Sequence, residues 1–464
     1  MSDVHFVGIG GYGMSALAEL ALARGEAVSG CDARPNARSE RLAGLGVRVF
    51  AGHDPGHLPA SGRLVYSTDV AADLPELVAA RARGLDVVHR SQLLAEALAG
   101  GYAIAVTGTH GKTTTSALTT HLIAASGLDP VGIVGGEVDG WGGGVRLGRG
   151  RVVVGEADES DASFLRYHPD VAVVTNVEPE HLEHYGGDFG RVLAAYARFV
   201  GQIRPGGAAV VWADEPHRTA VTQGFAGRVR TFGDGSGADI RAADVVHAPT
   251  GSTFTVVRDG AVLGRVALSL PGPHNVRNAL AAIEAALLTG ARWDALAPAL
   301  ARFTNARRRF ERIYEGPAGL VVDDYAHHPT EIRAVLDAAR TVGATRVCAM
   351  FQPQRYVRTK ALWHEFAGAF AEADDVLILD VYAPAGEAPI EGVSGEALAR
   401  AIASRHARAR YAPSLAAAVD MAEAAWQPGD LWLTMGAGDV WRAARDLGSR
   451  MVRRDAAGQG RTTA

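Results

Sequence analysis

Lysine is almost missing from this chain: of its 46 cationic side chains only Lys112 and Lys360 are lysines, and the rest are arginines. Drift in base composition accounts for such a bias at solvated positions, where the two residues interchange, but not at a site that needs a compact point charge. A lysine that survives the drift therefore marks a position of interest. Cysteine is also scarce, with Cys31 and Cys348 the only two in 464 residues. That is too few for a disulfide framework and points to a reducing, cytoplasmic compartment. Long apolar runs are absent as well: no stretch reaches the roughly 18 residues of a membrane span. The opening residues Met1-Ser2-Asp3-Val4-His5-Phe6-Val7 lack the basic and apolar regions of a secretory signal, so none is expected. There is no basic tract, and a formal charge of −5 leaves no electrostatic footprint for nucleic acid.

What is present is an ordinary globular composition, 48% hydrophobic and 21% charged, in a chain long enough for several domains. Short apolar runs alternate with helix-period segments, the pattern of buried parallel strands joined by crossover helices, so the fold class is α/β. Strands are expected near 4–9, 27–31, 47–50, 64–67 and 87–88, with helices over 14–24 and 74–83. After the small-residue break Ala99-Gly100-Gly101 a new unit opens with a strand at 102–106 and continues through strands at 152–154 and 171–175. A β-rich stretch over 229–270 and a helix over 275–288 follow. Strands near 320–322, 347–350, 376–379 and 431–433 belong to a third unit. The expected organisation is three tandem α/β domains, 1–99, 100–311 and 312–464, with a disordered tail from about residue 453.

Ligands of open α/β sheets sit beyond the carboxyl ends of the strands. Polar clusters follow the strands here at Glu156-Ala157-Asp158-Glu159, Asn176 to His181, Asp323 to His328 and Gln352 to Arg355. The segment Thr107-Gly108-Thr109-His110-Gly111-Lys112-Thr113-Thr114 follows a strand and opens a helix, the arrangement in which backbone N–H groups cradle phosphate. One of the two lysines stands where that chemistry places a lysine against the β- and γ-phosphates, and Thr113 stands where a hydroxyl meets Mg²⁺. Only two residues separate Gly108 from Gly111, against four in the common phosphate loop. Glu156 ends an apolar strand and is a candidate Mg²⁺ ligand, with helix capping the competing role. His181 is a weaker candidate by residue type, because imidazole is an unusual Mg²⁺ ligand. Near the start, Gly8-Ile9-Gly10-Gly11-Tyr12-Gly13 reads as G-x-G-x-x-G after a strand, with Asp32 following the next strand. Alone this suggests NAD, but the same geometry serves any diphosphate.

Taken together these motifs resemble the Mur ligases, and most closely the branch that adds L-alanine to UDP-N-acetylmuramate. The likeness covers residues 4 to 445. It rests on Gly8-Ile9-Gly10-Gly11-x-Gly13-Met14-Ser15, the Gly108 to Thr114 loop, Glu156 to Asp161, and Pro271-Gly272-x-His274-Asn275-x-x-Asn278. It continues in Arg308-Arg309-Phe310-Glu311, Asp323 to Glu331, Gln352-Pro353-x-Arg355-Tyr356-x-Arg358 and Gly436-Ala437-Gly438-Asp439.

The resemblance implies a Rossmann-like first domain for the UDP moiety, a central phosphate-loop ATPase domain and a Rossmann-like third domain for the amino acid. It implies a cytoplasmic, ATP- and Mg²⁺-dependent amide ligase of peptidoglycan synthesis, acting through an acyl phosphate on the lactyl carboxylate. The short loop spacing is that family's own. Nucleotide contacts are then expected from Gly108, Thr109, His110, Gly111, Lys112, Thr113, Thr114, His274, Asn275, Asn278, Arg309 and Asp324. Thr113, Glu156 and His181 are expected at metal. Substrate contacts are expected from Gly10, Gly11, Gly13, Met14, Ser15, Asp32, Ser67, Ser160 and Tyr325. Lys112, His327, Arg355 and Arg358 carry the catalytic expectation, the two arginines as forks for the alanine carboxylate.

Three positions depart from the family pattern: Tyr12 for alanine, Ser67-Thr68-Asp69 for a Ser-Ser-Ala-like run, and Asn305 for a glycine whose left-handed backbone asparagine tolerates. Some relatives hold a second Mg²⁺ with a carbamylated lysine. With Lys112 engaged by phosphate and Lys360 in the third domain, the central domain has no lysine for that role. The competing readings are a recycling ligase that takes a preformed peptide, an NAD-dependent oxidoreductase and a non-catalytic nucleotide switch. A monomer or weak homodimer is expected.

Overall fold

The computed structural model describes residues 3–383 and 387–462, with side chains to residue 456. The chain forms two compact units. The first runs to Val245 and includes Phe254–Leu268 and Arg277–Ala306; the second comprises Val246–Thr253, Ser269–Val276 and the chain from Arg307 on.

The first unit opens with a five-stranded sheet in spatial order 3-2-1-4-5, parallel throughout. Its central strand, Asp3–Val7, runs into a glycine turn and the helix Tyr12–Ala23. A ten-stranded sheet follows. At its centre Tyr102–Thr107 pairs in parallel with Val152–Glu156 on one side and Val171–Val174 on the other. Val171, Ala172 and Val173 are wholly buried, as an apolar strand covered on both faces by crossover helices must be. The phosphate loop and the acidic cluster therefore leave the carboxyl ends of adjacent strands. The β-rich stretch resolves into Arg228–Gly233, Ile240–Ala248, Gly251–Arg258 and Ala261–Leu268. A hairpin of Val131–Val138 and Gly143–Arg146 was not foreseen; its glycine-rich sequence carries little strand propensity.

The second unit holds a six-stranded sheet in which Glu311–Gly316 pairs antiparallel and the other five strands are parallel. Asp323 and Asp324 end the strand Gly319–Asp324, and Gln352 follows Arg346–Phe351.

Two expectations are corrected. The last helix spans Trp441–Thr462 and so continues where disorder was expected from about 453. Val440, Ala443, Ala444, Leu447 and Met451 bury one face of this helix and its start in the core, and Tyr314 Oη donates to Asp455 beyond them. Asn305 is not in the left-handed region; Arg308 (φ 60°) and Phe310 (φ 53°) are. The turn's strain thus lies beyond the asparagine, where the side chains are anchored. No helix among the described residues is long and apolar enough to cross a membrane.

Candidate active site

The helix Lys112–Ala125 begins directly at Gly111, whose φ of +82° places it in the left-handed region that favours glycine. Gly108 has φ +130°, and a Cβ there would stand 2.0 Å from Thr175 Oγ1 and 2.9 Å from the Asn176 carbonyl. Both glycines are required by the backbone. The loop is pinned from the neighbouring strand end: Thr109 N–H donates to the Asn176 carbonyl (3.0 Å), His110 N–H to Asn176 Oδ1 (2.9 Å), and Thr175 Oγ1 to the His110 carbonyl (2.6 Å). A helix N-terminus held this way presents its amides to an anion.

Lys112 Nζ donates to the carbonyls of Gly108 (2.6 Å) and Thr109 (3.2 Å) and to Glu159 Oε1 (2.8 Å). Burial by itself would lower the lysine pKa, but Glu159, Asp158 and Glu156 outweigh it and hold the ammonium above the ordinary lysine range. Thr113 Oγ1 lies 3.2 Å from Glu156 Oε1, and Glu156 Oε2 accepts from Gly135 N–H at 2.7 Å. Thr113 and Glu156 are therefore brought together as the metal reading requires. The unforeseen hairpin supplies the N–H that orients the carboxylate. Thr114 is buried in the first turn of the helix. Asn278 packs on the loop, since a Cβ on Gly111 would fall 2.7 Å from Asn278 Oδ1.

Glu159 received no role from the sequence. It is 4% exposed and also faces Thr107 Oγ1 at 3.5 Å. Its signal was its place among the acids following Val152–Glu156, in a chain whose central domain has one lysine to neutralise. Asp158 faces Arg90 Nη2 at 2.7 Å and accepts from Ser160 N–H at 3.0 Å. His181 (φ 56°) opens the turn Leu182–Tyr185, and Tyr185 Oη donates to the Glu159 carbonyl. That turn is thereby tethered to the acidic cluster.

In the N-terminal loop Gly8 N–H and Ile9 N–H both donate to the Cys31 carbonyl (2.8 and 3.0 Å), and Gly10 N–H donates to Asp32 Oδ2 (3.0 Å). Asp32 also accepts from Arg34 N–H, so its carboxylate shapes the turn. Gly11 precedes the helix, Gly13 lies in its first turn near Arg90, Met14 is buried in the core, and Ser15 Oγ donates to the Tyr12 carbonyl. Tyr12 carries the Arg38 guanidinium 3.9 Å from its ring centroid, and Arg38 Nε donates to the Gly10 carbonyl at 2.6 Å. The departure from alanine thus adds a cation–π lid on the glycine turn. Ser67 is buried, and its neighbour Thr68 donates to Asp161.

The second unit gathers its own group. Asp324 accepts from Phe310 N–H (2.7 Å) and Ala326 N–H (2.8 Å). Burial pushes it up to about 6, with Arg309 partly offsetting this. Arg308 is structural: it pairs with Asp323 at 2.8 Å and donates to the Gly436 and Gly438 carbonyls. Arg309 lies over the Tyr325 ring (5.2 Å), and His327 meets that ring edge-on (5.3 Å). His327 Nδ1 lies 3.0 Å from the Tyr325 carbonyl, which fixes Nδ1 as the donor, and Nε2 is then the basic nitrogen of the neutral ring. Arg355 (φ 68°) precedes the helix Tyr356–Ala361, and Arg358 Nη1 donates to Gln354 Oε1 at 2.6 Å. His274 and Asn275 open the helix Pro273–Leu288, and Asn275 Nδ2 donates to the Pro271 carbonyl (2.8 Å), so this side chain also secures the helix start.

Comparison with known proteins agrees with this geometry. Three family models match in order: the Mur ligase family catalytic domain over residues 3–102, the Mur ligase middle domain over 106–286 and the Mur ligase glutamate ligase domain over 308–438. The chain is 49% identical to the UDP-N-acetylmuramate--L-alanine ligase of Symbiobacterium thermophilum, with 99% of this chain and 97% of that protein aligned. It is 48% identical to the enzyme of the same name from Kineococcus radiotolerans, over 95% and 94% of the two chains. Among solved structures it is similar to the UDP-N-acetylmuramate-alanine ligase of Thermotoga maritima, with a TM-score of 0.83 at 28% identity over 98% and 100% of the two chains. A murein peptide ligase of Psychrobacter arcticus gives 0.72 at 26% identity over 96% and 99%. Three matched domains in sequence and relatives this similar over nearly the whole length establish that the chain belongs to the Mur ligase family.

Proposed function

We propose that this protein joins L-alanine to the lactyl carboxylate of UDP-N-acetylmuramate, with ATP converted to ADP and phosphate, as a cytoplasmic step of peptidoglycan synthesis. The observation that carries this reading is the 49% identity, over 99% of the chain, to an alanine ligase. The murein peptide ligase reading rests on a structural likeness at 26% identity and a lower TM-score. The glycine turn at Gly8 to Gly13 takes the UDP diphosphate in this reading, and the second phosphate loop removes the reason to invoke NAD.

A carboxylate resists attack by an amine, so the γ-phosphoryl group is first moved onto it. The ammonium of alanine gives up one proton, the resulting amine adds to the acyl carbon, the tetrahedral adduct expels phosphate, and the new amide nitrogen gives up its one extra proton. Bringing two anions together is the electrostatic problem of the first step. The loop amides and Lys112 Nζ hold the phosphates, and Lys112 is kept charged by Glu159. The donor set of Thr113 hydroxyl and Glu156 carboxylate fits Mg²⁺, which prefers oxygen ligands. His181 would complete the metal's surroundings. Mg²⁺, when bound, supplies positive charge to the transferring phosphoryl group. Arg309 and Asp324 serve the nucleotide, Arg355 and Arg358 offer forks to the alanine carboxylate, and His327 Nε2 is the base for its ammonium.

The test is phosphate release dependent on ATP and UDP-N-acetylmuramate, with L-alanine, glycine, L-serine and a murein tripeptide assayed in parallel. L-Alanine is expected to give the highest kcat/KM. Turnover with the tripeptide alone would overturn the assignment.

A further inference from the structure

A second group of metal-ligating side chains lies in the N-terminal domain, apart from the phosphate loops. His5 on the central strand, Cys31 on the strand Ala27–Asp32 and Glu76 in the first turn of the helix Pro75–Ala82 are each fully buried. One ligand atom from each lies within 4.8 Å of the other two. His53 joins from the loop after the strand Arg48–Ala51. Cys31 Sγ is 3.2 Å from His53 Nδ1 and 2.9 Å from Glu76 Oε2, and His53 Nδ1 is 3.0 Å from the same carboxylate oxygen. His5 Nε2 faces Glu76 Oε1 at 3.9 Å.

Among the described residues His5 Nε2 is buried with no hydrogen-bond partner, while Nδ1 is held by Ser29 Oγ at 2.9 Å. A buried polar atom without a partner is costly and calls for a ligand. The contact to Ser29 is the arrangement by which the far nitrogen of a ligating imidazole is oriented. His57, stacked on Phe50 at 4.4 Å, holds Glu76 Oε1 from the other side at 3.1 Å.

The geometry points to a structural zinc-class site in which His5 Nε2, Cys31 Sγ, His53 Nδ1 and the Glu76 carboxylate take one divalent ion. Two imidazoles, a thiolate and a carboxylate suit Zn²⁺ and do not suit Mg²⁺. Metal bonds of about 2.0–2.3 Å in a tetrahedron put ligand atoms roughly 3.3–3.8 Å apart, a range bracketed by the contacts of 2.9, 3.0, 3.2 and 3.9 Å found here. On binding, the Cys31 thiol gives up its proton to solvent and its sulfur forms the metal bond. Such an ion would tie two strands, a loop and a helix together directly beneath the first phosphate loop, because the Cys31 carbonyl receives both Gly8 N–H and Ile9 N–H.

The test uses the full-length protein, stripped with chelator and titrated with Co²⁺. A thiolate-to-cobalt charge-transfer band saturating at one ion per chain is expected. That band reports Cys31, since the only other cysteine, Cys348, is buried in the core of the third domain. Cys31→Ser should abolish the band, and His53→Ala should weaken Co²⁺ binding at least about tenfold. In thermal unfolding, Zn²⁺ should raise the wild-type midpoint by about 5 °C and leave Cys31→Ser unmoved. Absence of the band in the wild-type protein at saturating Co²⁺, or equal Zn²⁺ stabilisation of wild type and Cys31→Ser, would overturn the site and leave the ligase reading intact.

Discussion

Lys112 Nζ and Glu159 Oε1 lie 2.8 Å apart at the head of the phosphate-loop helix, the carboxylate buried and the lysine partly so. The only lysine of the central domain is thus anchored by a carboxylate and two loop carbonyls. Pre-orientation of this kind is what makes a charge effective in a transition state, because nothing has to reorganise when the phosphoryl group moves.

Replacing Glu159 by Gln removes the charged partner of a largely buried ammonium. Loss of one member of such a pair costs about 3–5 kcal/mol, so the urea midpoint of the nucleotide-free variant should fall accordingly. A non-hydrolysable ATP analogue, whose phosphates also neutralise Lys112, should recover part of that loss. An unchanged midpoint would show that the pair contributes nothing to the fold.

Lys112→Arg keeps the charge but replaces a point by a planar fork. The three acceptors around Nζ converge on one atom, so turnover should fall at least about 100-fold in a phosphate-release assay. Near-normal kcat would contradict the role given to the loop.

Gly10 has a different constraint: a Cβ would meet Asn36 Nδ2 at 2.4 Å and Asp32 Oδ2 at 2.8 Å. Gly10→Ala should therefore displace the carboxylate that shapes the first turn. KM for the UDP substrate is expected to rise about tenfold, equivalent to roughly 1.4 kcal/mol, with KM for ATP unchanged. Equal effects on both would place the disturbance in the whole first unit.

Asp324 carries a pH signature. Its pKa is raised from 3.8 to about 6, so between those values the folded protein retains a proton that the unfolded chain has released. The corresponding stability is complete below pH about 4 and is lost as pH rises through 6, to a total of roughly 3 kcal/mol. Asp324→Asn cannot titrate, so the difference in urea stability between wild type and variant should change across that interval and be flat above pH 7. A constant difference from pH 4 to 7 would refute the raised pKa.

Much of the fold could be read directly. Alternating apolar runs and helical periods placed the strands at 102–106, 171–175 and 347–350 within a residue or two of Tyr102–Thr107, Val171–Val174 and Arg346–Phe351, because buried parallel strands announce themselves by composition. The phosphate loop was legible because glycine, lysine and threonine are adjacent in the chain, and the lysine scarcity singled out Lys112. The hairpin over residues 131–146 was not legible, since its glycines hide the alternation. The run of the C-terminal helix past residue 453 was not legible because Asp455 meets its partner, Tyr314, on a distant segment.

The sequence by itself determined the class of fold and the family, and singled out Lys112 in the glycine loop, all of which rest on local pattern. Only the tertiary structure decided which carboxylate answers Lys112, which backbone amide orients Glu156, and that His5, Cys31 and Glu76 gather in one place with His53 against two of them. Those relationships join residues far apart in the chain. The register of neighbouring strands, and the side chains packed between sheet and helix, set them.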